Sequence, residues 1–195
     1  MTIPEWHEDT ASRTMRTWHH PEGGVLSLSL ADRAALPSLT DLHALRDTCR
    51  RVAQANSGGL VEVAVIETPF GSSALLIYKR LQGHAFIFTG MLLMPTATQK
   101  WFVWTTVHGE QGTTGVREAI VTDELLESGN LTLDSYELSW AQDPYEPGYR
   151  GVDRKLLRYT SDDHSYDSRF PEHPLSKVRM VLSQLPDNVH VEPGE

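Results

Sequence analysis

Between positions 60 and 121 the apolar residues fall into short runs cut by turn residues. LVEVAVIE, ALLIYKR, HAFIFTGMLLM, WFVWTTVHG and VREAIVT follow one another with only a few residues between them. Such short connections hold no crossover helix, so the pattern predicts an antiparallel meander. Val61, Val63 and Val65 alternate with Glu62 on the first strand. ALLIY and HAFIFTGMLLM are apolar at nearly every position, which predicts a sheet covered on both faces. VREAIVT reads as a further strand, with Arg117 and Glu118 on its opposite faces.

The flanks show other periods. MRTWHHPEGGVLSLSLAD reads as a hairpin, with Pro21, Gly23 and Gly24 in the turn and Leu26, Leu28 and Leu30 on one side. Leu42, Leu45, Cys49, Val52 and Ala53 recur at three and four, predicting a helix over 39–56 with Arg46, Arg50 and Arg51 on its other faces. Ser38 or Thr40 caps its start, and Gly58 and Gly59 supply the positive φ that ends it. After Thr122, DELLESGNLTLDSYELSWAQ is helical in parts, with Leu133, Tyr136 and Trp140 at helical spacing. DPYEPGYRG is a structured loop, and VDRKLLRY is ambiguous between strand and helix. SDDHSYDSRF opens like a helix. Pro174 suits the first position of a last helix carrying Leu175, Val178, Leu182 and Leu185, which Pro186 stops. Residues 1–13 read as a loose arm and 187–195 as a polar tail. The expectation is one domain of class α+β: an antiparallel meander of about six strands flanked by helices on both faces, an α/β/α sandwich.

Composition narrows the partners. The 195 residues carry a net charge of -9. With basic residues scattered among acids, nucleic acid is not expected. No apolar run is long enough to cross a membrane, and the N-terminal residues do not form a secretory signal. The single cysteine, Cys49, offers no disulfide and lies on a helix stripe, so it reads as a small core residue in a cytoplasmic protein. The charge suits a monomer or weak homodimer.

Motifs exclude more than they assign. HGEQGTTG lacks the Lys of a phosphate-binding loop and reads as a turn. His108 and Glu110 form H-x-E without the cysteines of a zinc deaminase. His19 and His20 are adjacent and diverge, and His164 among Asp162, Asp163 and Asp167 lacks the spacing of a calcium loop. No cofactor and no metal is expected. Two groups of residues remain. One is the strand face Phe102, Trp104, Thr106 and His108 together with Arg117 and Glu118, whose charges require a partner or solvent. The other is Tyr145, Tyr149, Arg150, Arg154 and Tyr159, a mixture of aromatic and guanidinium groups enriched at protein contact sites, or else a long loop held onto the sheet by its own tyrosines.

The order hairpin, helix, antiparallel meander, helical tail resembles the PsbP, Mog1 and DcrB-like group of α/β/α sandwich domains. The resemblance rests on ETPFGSSALLIYKR, GHAFIFTGMLLMP and VREAIVT. It implies a binding or assembly module and carries over no catalytic residue. DPYEPGYRG and FPEHPLSKVR also resemble stretches of bacterial proteins, which adds no function. Together these readings favour a non-enzymatic binding or accessory module that holds a protein partner. The alternative is a small-molecule enzyme or carrier whose pocket is lined by Trp104, His108, Glu110 and Arg117.

Overall fold

The computed structural model describes residues 6–12, 14–132 and 140–188. Seven antiparallel strands form one sheet: β1 (His7–Ala11), β2 (Met15–His19), β3 (Val25–Asp32), β4 (Gly58–Thr68), β5 (Gly71–Gln82), β6 (Ala85–Pro95) and β7 (Lys100–Gly109). Their spatial order is β1-β2-β3-β7-β6-β5-β4. Two meanders therefore join edge to edge, with Leu26 opposite Thr106 and Leu28 opposite Trp104. The chain leaves β3 in mid-sheet and re-enters at the far edge, and helix α1 (Leu42–Ala55) makes the crossing over one face.

The opposite face is covered by the last helix, α3 (Pro174–Asn188). Under α1 lie Leu60, Val63, Ala74, Leu76, Trp101 and Val103. Under α3 lie Trp18, Leu26, Ile77, Phe88, Leu92, Met94 and Trp104. This two-sided burial explains why β5 and β6 are apolar without alternation. Trp18 and Trp104 stack with ring centroids 5.7 Å apart. α3 packs tightly against Gly90, where a Cβ would stand 2.5 Å from Val178 Cγ1.

Several expectations require correction. The sheet has seven strands, because residues 7–11 pair with β2 and are not a loose arm. Val61 does not share a face with Val63 and Val65. The register shifts between Leu60 and Glu62, turning Val61 to the α3 side while Val63 stays under α1. Helix α1 is capped by Asp41, whose carboxylate accepts the Ala44 N–H at 3.0 Å. Its far end turns at Ser57, with φ 56°, and Gly58 and Gly59 belong to β4. Those glycines admit neighbouring backbone: a Cβ on Gly59 would lie 2.0 Å from the Leu156 carbonyl oxygen.

The largest correction is VREAIVT. It forms the start of helix α2 (Val116–Glu127), not a strand. Arg117 and Val121, four apart, turn inward, and Leu131, Trp140, Ala141 and Leu157 complete a third small core. Packing of that face outweighs the weak strand preference of Val, Ile and Thr. SDDHSYDSRF forms two 3-10 turns, Thr160–Asp162 and His164–Tyr166, in place of a regular helix. VDRKLLRY divides into the 3-10 turn Arg154–Leu156 and strand β9 (Arg158–Tyr159), paired with β8 (Ala141–Gln142). Pro186 does not stop α3, which runs to Asn188. A proline in the last turn removes one N–H without breaking what precedes it. Leu133 and Tyr136 lie outside the described residues, as do 189–195 of the expected tail. No described helix is long and apolar enough to cross a membrane.

Cys49 lies in the α1 core at 3% exposure, and burial pushes its thiol up to about 11. The native thiol is therefore expected to resist a thiolate-selective reagent at pH 8 and to react at the rate of a free cysteine once the chain is unfolded in urea. Equal rates in the two states would contradict this placement.

Candidate functional site

β7 ends in a turn that positions Glu110. The Glu110 carboxylate accepts the Gly115 N–H on Oε1 and the Phe86 N–H on Oε2, each at 2.7 Å. Gly115, at φ 73°, then starts α2. This fastens the first turn of α2 to β6 and directs Arg117 into the interior. Its guanidinium donates to the carbonyls of Ser161 (2.7 Å) and Asp163 (2.9 Å), to Asp167 Oδ1 (3.0 Å) and to Ser176 Oγ (2.9 Å). Arg117 is 1% exposed. It ties α2, the 3-10 turns and α3 together.

Two more cations complete this buried polar layer. Lys79 donates to Asp162 Oδ2 at 2.7 Å, with both side chains out of solvent, and its ammonium lies 3.4 Å from the Tyr159 ring centroid. Burial lowers the Lys79 ammonium. Burial also pushes the Asp162 carboxyl up, but the Lys79 charge and hydrogen bonds from Lys79 and the Tyr159 N–H outweigh it and hold the group below its ordinary value. Arg179 of α3 bonds Glu62, Asp167 and the Asp162 carbonyl. Under Phe86, Glu110, Glu118 and His173 bring ligand-type atoms within 4.8 Å of one another.

Beside this layer, α2 and residues 140–159 enclose an open cleft of about 690 Å³. Phe86, Trp140 and Tyr159 supply aromatic surface and Ala119, Ala141 and Leu126 aliphatic surface. Asp123, Asp153, Arg154 and Lys155 supply charge, and Glu118 forms part of the wall. A second cavity, of about 510 Å³, lies between the β2–β3 turn and α3, lined by Trp6, His20, Leu26, His108, Lys177 and Met180 among others. Burial, Lys177 and His20 lower the His108 imidazole to about 4, so it is neutral at pH 7. Its Nε2 lies 3.1 Å from Thr106 Oγ1, and Trp6 meets it edge-on with centroids 6.2 Å apart.

The residues singled out in the sequence do not form one site. Trp104 is fully buried in the α3-side core. Trp104, His108 and Arg117 do not line a common cavity. His108 opens onto the second cavity, Arg117 clamps the polar layer, and Glu118 and Arg154 line the cleft. Tyr145 and Tyr149 turn inward. The Tyr145 hydroxyl accepts the Val63 N–H and donates to the Val63 carbonyl, both at 2.7 Å, while Arg46 lies 4.0 Å over its ring. Tyr149 bonds Gln54, with Arg50 over its ring. Arg150 is exposed and caps the Pro147 and Tyr149 carbonyls. The loop is thus held to the sheet edge by its own tyrosines. Tyr145→Phe leaves both Val63 backbone groups without that partner and is expected to cost about 1–3 kcal/mol in urea unfolding. A loss under about 0.3 kcal/mol would show that water replaces the hydroxyl at this edge.

Lys79, His173 and Arg179 went unread in the sequence, and Asp162 was considered only as part of a rejected calcium loop. Lys79 had one visible signal, a charge at the end of the apolar run ALLIYK. Its partner is 83 positions away, and no spacing rule connects the two.

The fold and cleft define an α/β/α sandwich built on a fully antiparallel sheet, with a side cleft under α2. No protein-family model matches the chain, and no curated protein matches it. Among solved structures it is similar to the Saccharomyces cerevisiae Ran-binding protein Mog1p. The TM-score is 0.42 and the identity 7%, over 66% of this chain and 75% of that one. A point mutant of Mog1 matches at TM-score 0.40 and 7% identity, over 63% of this chain and 75% of that one. This is a weak topological resemblance, without correspondence between residues.

Proposed function

We propose that the chain is a binding module that holds a protein partner in the cleft between α2 and residues 140–159. The observation that carries this reading is the aromatic surface the cleft presents. Phe86, Trp140 and Tyr159 line it together with the exposed Ala119 and the half-buried Leu126 of α2. Exposed apolar surface beside a charged rim is the usual composition of a protein contact. The rim carries both signs, Asp123 and Asp153 with Arg154 and Lys155. It therefore suits a polypeptide segment of mixed charge better than a uniformly anionic ligand.

The test is affinity capture from native lysate with wild type, Ala119→Glu, Arg154→Glu and, as a control on a distant face, Leu42→Glu. The three positions are exposed, so the variants keep the fold. A protein captured by wild type and Leu42→Glu but lost from the other two supports the reading. A capture profile identical in all four rejects it.

A second reading rests on the cavity at His108. Its apolar lining by Trp6, Leu26, Met180, Val181 and Leu185 suits a small apolar ligand carried beside a neutral imidazole. Displacement of an environment-sensitive dye, blocked by Met180→Trp but not by Ala119→Glu, distinguishes it from the first.

A further inference from the structure

We propose that Glu110, Glu118 and His173 form a binding site for a divalent first-row metal ion, with zinc the best match. The three residues come from separate places in the fold: the end of β7, the first turn of α2, and the residue before α3. Their ligand-type atoms nevertheless lie within 4.8 Å of one another. The inference stands independently of the partner reading.

The site shows an unmet need for a cation. The His173 side chain is 7% exposed, and its Nε2 has no hydrogen-bond partner. Both oxygens of Glu118 are buried and equally without a hydrogen bond. A buried carboxylate in that state is costly unless a cation stands beside it. The nearby Lys79 ammonium is committed to Asp162 at 2.7 Å. Arg117 spends its donors on Ser161, Asp163, Asp167 and Ser176.

The spacing points the same way. His173 Nε2 and Glu118 Oε1 are 3.5 Å apart, longer than a charge-assisted hydrogen bond of about 2.7–2.9 Å. Two ligands each about 2.0–2.1 Å from a tetrahedral zinc stand about 3.4 Å from one another. Glu110 is held in place for ligation. Each of its oxygens takes one backbone N–H and keeps a lone pair, and such outer contacts orient metal-binding carboxylates. One imidazole and two carboxylates form a zinc-type donor set, while calcium takes six to eight oxygens.

Metal on Nε2 places the ring proton on Nδ1. The Leu175 N–H at 3.3 Å and the Arg117 guanidinium at 3.5 Å from Nδ1 must then move aside. The competing arrangement keeps the proton on Nε2, directed at Glu118, and needs no ion.

The experiment uses the full chain, stripped with chelator and titrated with zinc alone, with bound metal counted by mass spectrometry. Cobalt substitution reports the geometry. Nine histidines make adventitious zinc possible, so Glu118→Gln and His173→Gln are titrated in parallel, with circular dichroism as the check on folding. The expected result is one zinc per wild-type chain, a tetrahedral cobalt absorption band, and affinity at least about tenfold lower in each variant. Should a variant fail to fold, the wild-type cobalt spectrum and a zinc-dependent rise in its melting temperature decide the matter. Absence of stoichiometric zinc in wild type overturns the proposal, as does equal binding by folded variants. Nitrogen NMR would then show the Nε2–H tautomer of His173.

Discussion

Asp162→Asn is expected to destabilise the protein by about 3–5 kcal/mol, the usual cost of breaking a buried ion pair from one side. The substitution preserves shape and removes only the counter-charge. It leaves the Lys79 ammonium, 2.7 Å away, enclosed against the Tyr159 and Phe86 rings. Those rings attract the cation but cannot replace a carboxylate. The pair as a whole contributes far less than one half suggests, since both ions gave up water to form it. The double substitution Lys79→Met with Asp162→Leu is therefore expected to recover most of the loss. Urea midpoints of Asp162→Asn and of the double variant make the measurement. A single-variant loss under about 1 kcal/mol would mean that water reaches Lys79. Acid carries a related signature. Asp162 is held below its ordinary carboxyl value, so its contribution is present above that value and fades as the pH falls through the depressed one. The Asn variant lacks that step.

Arg117→Met is expected to cost a similar amount, about 3–5 kcal/mol. The methionine fills much of the space but withdraws the guanidinium donors from Ser161, Asp163 and Ser176. Asp167 retains Arg179, which bonds both its oxygens at 3.0–3.1 Å, and the Asp163 carbonyl retains the Tyr166 N–H at 3.2 Å, so the cost falls mainly on the orphaned Ser161 carbonyl. Arg117→Lys is expected to restore less than half of it, because one ammonium cannot serve four acceptors in a fixed fork. Full rescue by lysine would show that charge alone matters here. The α2 cleft depends on this clamp, and amide exchange in α2 should rise in Arg117→Met before the sheet is affected.

How much was legible depends on the range of the interaction. The α1 stripe and the hairpin turn at Pro21–Gly24 are local patterns; the turn and the stripe residues Leu45, Cys49 and Ala53 appear in the structure, while Leu42 is exposed and Arg50, expected on another face, is buried. The unbroken apolar runs of β5 and β6 implied two covered faces, and α1 and α3 cover them. VREAIVT misled because Val, Ile and Thr suit a strand, whereas burial of Arg117 and Val121, four apart, on one inner face favours a helix. Val61 misled because a bulge is invisible to a period of two. The tyrosines near 145–149 allowed two readings, a contact surface or a loop held onto the sheet by its own tyrosines, and the bonds to Val63 and Gln54 agree with the second.

From the sequence alone follow the α+β class, the antiparallel pairing, the two-sided core and the buried Cys49, since each rests on short periods or on composition. Only the tertiary structure decided the joining of β3 to β7, the polar layer around Lys79, Arg117 and Asp162, the meeting of Glu110, Glu118 and His173, and the cleft under α2. Those features bring together residues tens of positions apart. Their energy lies in desolvated charges, whose partners are chosen by three-dimensional proximity and leave no periodic trace along the chain.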